Sequence, residues 1–401
     1  MKKPFQTVAR RVRQLKNPGP VVKAVRYHVG QAWSEWKRAT ARKKKHRIFC
    51  AWLSHLRSSP PDVLIGANYA NQGGVCHHIR AIRRYSALRV ELAPSDKLLG
   101  SLALKDLQNE LKQPFMDFAP TGIRAIHSHV FPSFIEWCRK HQDSGARWVH
   151  TYHLLYFPEH AKDGLLPWQK KVNESLVNDA RHADVRISVS RWQQRYLQEN
   201  HGIETIYIPN GVDAALCERA DGQRFVRRTG MSGFILYAGR NDPVKNPADF
   251  VRLAQRLPNQ EFVMVGPGLT REVLGTEWSV DVPANLYLYG PATHTETQDA
   301  IAACSALVVT SKREGLPTLV LEAMAQSKPV VVPDEPGCME AVGHGEFGSI
   351  YRQDDLNDLA EKTLTVLADT QRNQGARQRV LSEYDWRVVI PQLDAIYQGQ
   401  T

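Results

Sequence analysis

The sequence holds no apolar run long enough to cross a bilayer. Its longest, such as Ile48–Leu53, are about six residues, where about 18–20 are needed. Cysteine is scarce: Cys50, Cys76, Cys138, Cys217, Cys304 and Cys338 are scattered without a Cys-x-x-Cys pair. Neither a zinc site nor a disulfide framework is therefore expected, and reduced thiols are. The first 50 residues contain no apolar core ahead of a small-residue cleavage site, so no secretory signal is expected. No aspartates stand as Asp-x-Asp, the short pair that would hold a metal against a nucleotide diphosphate. The first glycine loop also lacks G-x-G-x-x-G, which counts against NAD or FAD.

What is present is globular composition, 42% apolar and 23% charged over 401 residues, which suits two domains. The net charge of +11 is unevenly placed. Residues 1–47 carry fifteen Lys or Arg against one acid, Glu35; the remainder carries 37 basic and 40 acidic side chains, a net charge of −3. The basicity belongs to a leader and not to the globular body, which argues against a nucleic-acid-binding core. From Val21 the leader has helical periodicity, with Val22, Val25, Val29, Ala32, Trp33 and Trp36 on one face and Lys23, Arg26, Lys37 and Arg38 flanking it. Arg42-Lys43-Lys44-Lys45 follows. Residues 21–47 thus read as a helix for an anionic membrane surface. A solvated or domain-packed helix and an organelle transit peptide are the competing readings.

Alternation of short apolar strands with helices begins after Ser58-Ser59-Pro60-Pro61. Strands are expected at Val63–Gly66, Arg89–Leu92, Ala125–His127, Trp148–Tyr152, Val185–Val189 and Thr205–Ile208. After Asn210-Gly211-Val212-Asp213 and a polar stretch to Gly230, alternation restarts at Phe234–Ala238, Glu261–Val265, Leu286–Tyr289, Ala306–Thr310 and Pro329–Val332. Helices are expected at Val75–Tyr85, Pro247–Leu257, Thr297–Cys304 and Pro317–Gln326. This is an α/β chain of two doubly wound parallel-sheet domains, with ligands expected in the cleft at the carboxyl ends of the strands.

Three stretches at strand ends carry chemistry. Tyr237–Pro247 places Arg240 and Lys245 on a strand-to-helix loop beside a helix N-terminus, a plausible diphosphate clamp. Ser311–Ala325 places Glu314 before a helix and Glu322 inside it, about 12 Å along the axis. That is too far apart to act on one bond and suited to opposite ends of one elongated ligand. Asn71-Gln72-Gly73-Gly74 lets backbone approach a phosphate or sugar closely.

Taken in order, Gly73-Gly74, Asn210-Gly211-Val212-Asp213, Gly239-Arg240-x-x-x-x-Lys245-Asn246 and Glu314-Gly315-Leu316-Pro317 through Glu322 resemble the retaining glycosyltransferases of family 4, over residues 62–397. The resemblance implies the GT-B fold. A basic extension would span residues 1–60, and an acceptor-side domain 62–208 plus a returning C-terminal helix 385–401. A linker would span 209–230 and a nucleotide-sugar domain 231–384. It also implies roles. Arg240 and Lys245 would neutralise the donor diphosphate, Glu314 would hold the donor sugar and Glu322 the ribose. Backbone at Gly73, Gly74, Gly239, Gly315, Leu316, Pro317 and Thr318 would line the donor site. His153 would sit near the reacting sugar, with His150 as its rival and Ser128 and His129 ending a neighbouring strand. No cofactor and no metal are expected. The expected partners are a nucleotide-sugar donor, a glycan or lipid-linked acceptor and the cytoplasmic face of a membrane, without nucleic acid. A soluble sugar or sugar-phosphate acceptor is the alternative, and a non-catalytic sugar- or nucleotide-binding protein a remote one.

Overall fold

Twelve short strands, five of them buried along their whole length, form two parallel sheets in this computed structural model, which describes residues 20–66, 73–93, 111–153, 155–158, 164–368 and 373–400. Asn71 and Gln72 lie outside the described residues, as do residues 1–19. The side chains of Val22, Lys23, Val25, Arg26, Val29, Ala32, Lys37 and Arg38 lie outside them too. The chain groups into two compact units, residues 1–60 with 95–119 and residues 61–94 with 120–401.

In the first unit a helix runs unbroken from Pro20 to Ser58, about 58 Å. The basic run Arg42–Lys45, expected to follow a helix, lies within it. Its later turns bury a stripe of Phe49, Trp52, Leu53 and Leu56 at helical spacing. Phe49 meets Phe115 edge-on at 6.4 Å, and the Arg57 guanidinium lies 5.6 Å from the Phe118 ring. Residues of the stretch 111–119 thus pack with the leader. Trp33 and Trp36 stack at 5.2 Å, and Trp36 is exposed. Among the described residues no helix is long and apolar enough to cross a membrane.

The second unit holds both sheets. The first contains β1 (Val63–Gly66), β2 (Val90–Ala93), β3 (Ala125–Ser128), β4 (Arg147–Tyr152), β5 (Val185–Ser188) and β6 (Ile206–Tyr207), in the order β2-β1-β3-β4-β5-β6. The second contains β7 (Ile235–Ala238), β8 (Phe262–Val265), β9 (Leu286–Gly290), β10 (Ala306–Val308), β11 (Val330–Pro333) and β12 (Ser349–Tyr351), in the order β12-β11-β10-β7-β8-β9. Continuous apolar strands such as Phe262–Val265 and Val330–Pro333 are buried throughout, as strands covered on both faces must be. Strand order reverses between β1 and β3 and again between β7 and β10, and at such a reversal the two flanking loops part to leave a crevice.

The C-terminal helix Trp386–Tyr397 packs Trp386, Val389, Leu393 and Ile396 into one core with Val63 and Ile65 of the first sheet and Ile79 and Ile82 of helix Gly74–Tyr85. The chain therefore crosses between lobes twice, side by side. Val212 N donates to Tyr384 O at 2.8 Å and Trp386 N to Val212 O at 3.1 Å. A Cβ on Gly211 would stand 2.5 Å from the Trp386 ring, so the Asn-Gly step of the linker is a packing requirement. A further tie joins the lobes. Glu340 of the second lobe accepts from the Arg191 and Trp192 amides at 2.8 and 2.9 Å, capping a first-lobe helix whose own Ser190 hydroxyl is unpartnered.

Candidate active site

The loops after β7 and β10 border the switch point of the second sheet and are stitched together there. Lys312 N donates to Val244 O at 2.7 Å, and the Thr310 hydroxyl donates to Asn246 O at 2.8 Å. Asn246 takes a left-handed conformation, φ 45°, which turns the chain sharply into helix Pro247–Arg256. This brings Lys245 Nζ to 2.6 Å from Glu314 Oε1. Helix Thr318–Ala325 starts beside the pair with no side chain capping it. Its first amides, at Thr318 and Leu319, are left to the cavity those residues line.

That cavity, about 240 Å³, is bordered by Lys245, Glu314, Gly315 and Thr318 from the second lobe and by Gly74 and His153 from the first. The lobes approach closely here. A Cβ on Gly315 would meet the His153 carbonyl oxygen at 2.3 Å, and Trp192 Nε1 donates to Gly315 O at 2.7 Å. Of the two competing histidines, His153 lines the cavity, whereas His150 is fully buried with Nδ1 on the Ser128 hydroxyl at 2.8 Å. Burial, and then the neighbouring His78, His150 and His127, hold the His153 pKa well below the ordinary histidine value. It is therefore a neutral imidazole near pH 7.

Glu322 lies apart from this group. It borders a second cavity of about 150 Å³ with His77, Arg80, Arg84, Asp213 and His294, and the two cavities share Gly74, Asn210 and Thr318. His294 Nε2 is 2.9 Å from Glu322 Oε1, and Gln298 donates to Oε2 at 2.7 Å. Burial alone would lower the His294 pKa, but the hydrogen bond and charge of Glu322, helped by Asp213, raise it overall.

Arg240, Gly239 and Gly73 are the expected residues that line neither cavity. The Arg240 guanidinium reaches back to Asp242 at 2.7 Å and is more than half exposed. Gly239 serves the backbone instead: its carbonyl sits where a Cβ on Gly266 would fall, 1.7 Å away. Gly73, φ 107°, precedes helix Gly74–Tyr85 and lines neither cavity, while Gly74 lines both. Sequence reasoning missed His294 and Gln298 because it started their helix at Thr297, whereas the helix spans His294–Ala303. The signal was there in Thr293-His294-Thr295-Glu296, a capping box in which Thr293 Oγ1 accepts from the Glu296 amide at 3.2 Å and donates to its carboxylate at 2.8 Å.

Comparison with known proteins follows the same two-lobe division. A family model described as Glycosyltransferase Family 4 matches residues 72–216, and one described as Glycosyl transferases group 1 matches residues 221–382. The phosphatidyl-myo-inositol mannosyltransferase of Mycolicibacterium smegmatis is 29% identical over 226 residues, 53% of this chain and 56% of that protein. A glycogen synthase of Mycobacterium tuberculosis is 29% identical over 268 residues, 62% of each. The matched stretch thus spans little more than half the length of these relatives. Among solved structures, sucrose-phosphate synthase from Thermosynechococcus elongatus superposes with a TM-score of 0.68 at 19% identity, over 84% of this chain and 98% of that one. Anabaena HepE in complex with UDP and glucose superposes with a TM-score of 0.66 at 20% identity, over 84% and 99%. At these identities the likeness is one of fold, the two-domain GT-B arrangement. With both lobes matched in order by family models, the chain belongs to the group 1 glycosyltransferases.

Proposed function

We propose that the protein transfers a glycosyl residue, with retention of configuration, from a nucleotide-diphosphate sugar to a hydroxyl of an acceptor glycan or lipid-linked sugar. The observation that carries this reading is the Lys245–Glu314 pair beside an uncapped helix N-terminus at the switch point of the second sheet. A diphosphate placed there would take the Lys245 ammonium and the Thr318 and Leu319 amides, which together stabilise the charge that develops as the sugar–phosphate bond breaks. Arg240 would leave Asp242 to join them. Glu314, freed from Lys245, would accept hydrogen bonds from the donor-sugar hydroxyls, and Glu322, in the adjoining cavity, from the ribose. His153 would present its imidazole to the sugar from the opposite lobe. In retaining transfer the acceptor attacks on the face the diphosphate leaves, and the departing phosphate oxygen takes the acceptor proton. On this reading positive side chains and helix amides would do for the diphosphate what a metal does in other enzymes.

For the acceptor, the exposed Arg42, Lys43 and Lys44 on helix Pro20–Ser58 and the likeness to a phosphatidyl-inositol mannosyltransferase favour a lipid-linked substrate at the inner face of the cytoplasmic membrane. Likeness to a glycogen synthase favours the second reading, a soluble glycan acceptor. Thermal unfolding with a panel of nucleoside diphosphates tests the donor site. At least one is expected to raise the midpoint in wild type and not in Lys245→Ala; no response to any of them contradicts the assignment.

A further inference from the structure

Behind the cavity wall the first sheet ends in an unusual concentration of imidazoles. His127, His129 and His150 are completely buried, and His78 and His153 nearly so. Three of them converge from three separate elements: His78 from helix Gly74–Tyr85, His129 from the end of β3 and His153 from the end of β4. One ring nitrogen of each lies within 4.8 Å of the others. The His78 ring stands edge-on to His153 at 5.0 Å and to His129 at 5.5 Å.

Their hydrogen bonding leaves the cluster incomplete. His78 is fixed through Nδ1, 3.0 Å from Asn210 Oδ1, while its Nε2 has no partner. His129 Nδ1 is 3.0 Å from His153 Nε2, and its own Nε2 has no partner either. Leaving a buried polar atom without a partner is costly, and here two such atoms occur in one cluster. His127 differs, because its two nitrogens hold the hydroxyls of Tyr397 and Thr151. His150 holds Ser128 through Nδ1 and also leaves Nε2 without a partner, but it is not among the three histidines whose nitrogens converge.

We propose that His78, His129 and His153 form a binding site for one transition-metal ion of the Zn²⁺ class. Three imidazoles with no thiolate and no carboxylate in the set suit Zn²⁺, Co²⁺, Ni²⁺ or Cu²⁺ and not Mg²⁺ or Ca²⁺. Imidazole binds such ions at about 2.0–2.1 Å in a tetrahedral site, which places ligand nitrogens about 3.4 Å apart. From 4.8 Å, small rotations of buried rings close that difference. Asn210 acts as the outer partner that fixes the His78 tautomer and leaves Nε2 as the ligand atom. The fourth position carries a water or hydroxide, which offsets part of the ion's charge. The ion would tie helix Gly74–Tyr85 to the ends of β3 and β4, on the lobe opposite the diphosphate-binding cations, and has no part in neutralising the diphosphate.

The test is Co²⁺ titration of the full chain, stripped with chelator and free of any histidine tag. Because His46 and Cys50 stand 3.6 Å apart on helix Pro20–Ser58 and could take a metal themselves, a Cys50→Ser background is used throughout. The expected result is one Co²⁺ per chain with the intense visible d–d absorption of a tetrahedral site, displaced by Zn²⁺, and an affinity lower by about tenfold or more in His78→Gln and in His129→Gln. X-ray absorption of the Zn²⁺-loaded parent protein counts the imidazoles directly, should either variant fail to fold. Absence of stoichiometric uptake, uptake unchanged in both folded variants, or fewer than three imidazoles around the ion overturns the site.

Discussion

Lys245 Nζ lies 2.6 Å from Glu314 Oε1, and this pair joins the loop after β7 to the loop after β10 where the strand order of the second sheet reverses. The residues are 69 positions apart in sequence, yet the topology leaves them little choice but to meet. Lys245→Ala should lower kcat/KM more than about tenfold, a loss above roughly 1.4 kcal/mol, with the unfolding midpoint little changed. Arg240→Ala should do the same although Arg240 now holds Asp242. Steady-state kinetics on both variants checks this, and a variant retaining more than a tenth of wild-type kcat/KM removes that residue from the clamp.

The separation of the two glutamates into adjoining cavities predicts separable defects. Glu322→Ala should weaken binding of free nucleoside diphosphate by about 2 kcal/mol, the worth of hydrogen bonds to a charged group. Glu314→Ala should leave that binding nearly intact and lose turnover. Calorimetric titration of both variants with the same nucleotide decides the matter, and equal losses would remove the division of roles.

Gly315 has no room for a side chain, because its Cβ would press on a backbone carbonyl of the other lobe, which cannot swing aside. Gly315→Ala should cost about 1–3 kcal/mol of stability. Forcing His153 away from the second lobe should also reduce turnover by up to about a hundredfold. Denaturant unfolding and kinetics measured together test the link; a stable, fully active variant would contradict the closeness of the two lobes in the working state.

His294 supplies a pH dependence. Its charged form is held by Glu322 and Asp213, while His77, whose ring centroid is 4.5 Å away, is itself pushed down by burial and by the His294 charge. A ribose that takes the Glu322 oxygens parts them from His294, whose pKa then falls and whose proton leaves. Release of a proton on binding means affinity rises with pH. The window opens below the ordinary value of 6.5, where burial holds the imidazole once Glu322 is taken, and closes at the raised value in the free protein. Nucleotide affinity measured on either side of neutrality should increase with pH in wild type and be flat in His294→Gln; a flat wild-type profile would mean that His294 stays on Glu322 in the complex.

Each basic residue near an anionic surface contributes about 1 kcal/mol. Replacing Arg42, Lys43 and Lys44 together by Glu should therefore release the protein from anionic vesicles at about 0.15 M salt. All three are exposed and precede the buried stripe Phe49, Trp52, Leu53 and Leu56 along the helix, so the first unit keeps its core. Co-sedimentation of the variant equal to wild type would end the membrane reading and favour a soluble acceptor.

Strands such as β1 and β8 were legible in the sequence because runs like Val63-Leu64-Ile65 carry their own signal. β12 was not, since Ser349-Ile350-Tyr351 is a three-residue edge strand behind a glycine-rich stretch with no apolar run. Lys245, Glu314 and His153 were legible as residues at strand ends. Their convergence depends on strand order, which no local pattern encodes. His78 is the clearest loss. It sits on the apolar-looking face of helix Gly74–Tyr85, and only the fold reveals that this face meets the ends of β3 and β4. In the same way, residues 111–119 read as part of the first sheet's domain because nothing in their composition says that Phe115 packs against Phe49.

The central claim is that the second lobe holds a nucleotide sugar and activates its departure from the sugar. Its most direct test is release of nucleoside diphosphate from a panel of nucleotide sugars, measured with wild type and with Lys245→Ala at equal concentration. The account predicts that at least one donor is turned over by wild type, even if only to water, and that Lys245→Ala loses more than nine-tenths of that rate. Turnover that survives the substitution, or no turnover and no binding of any donor by wild type, would contradict it.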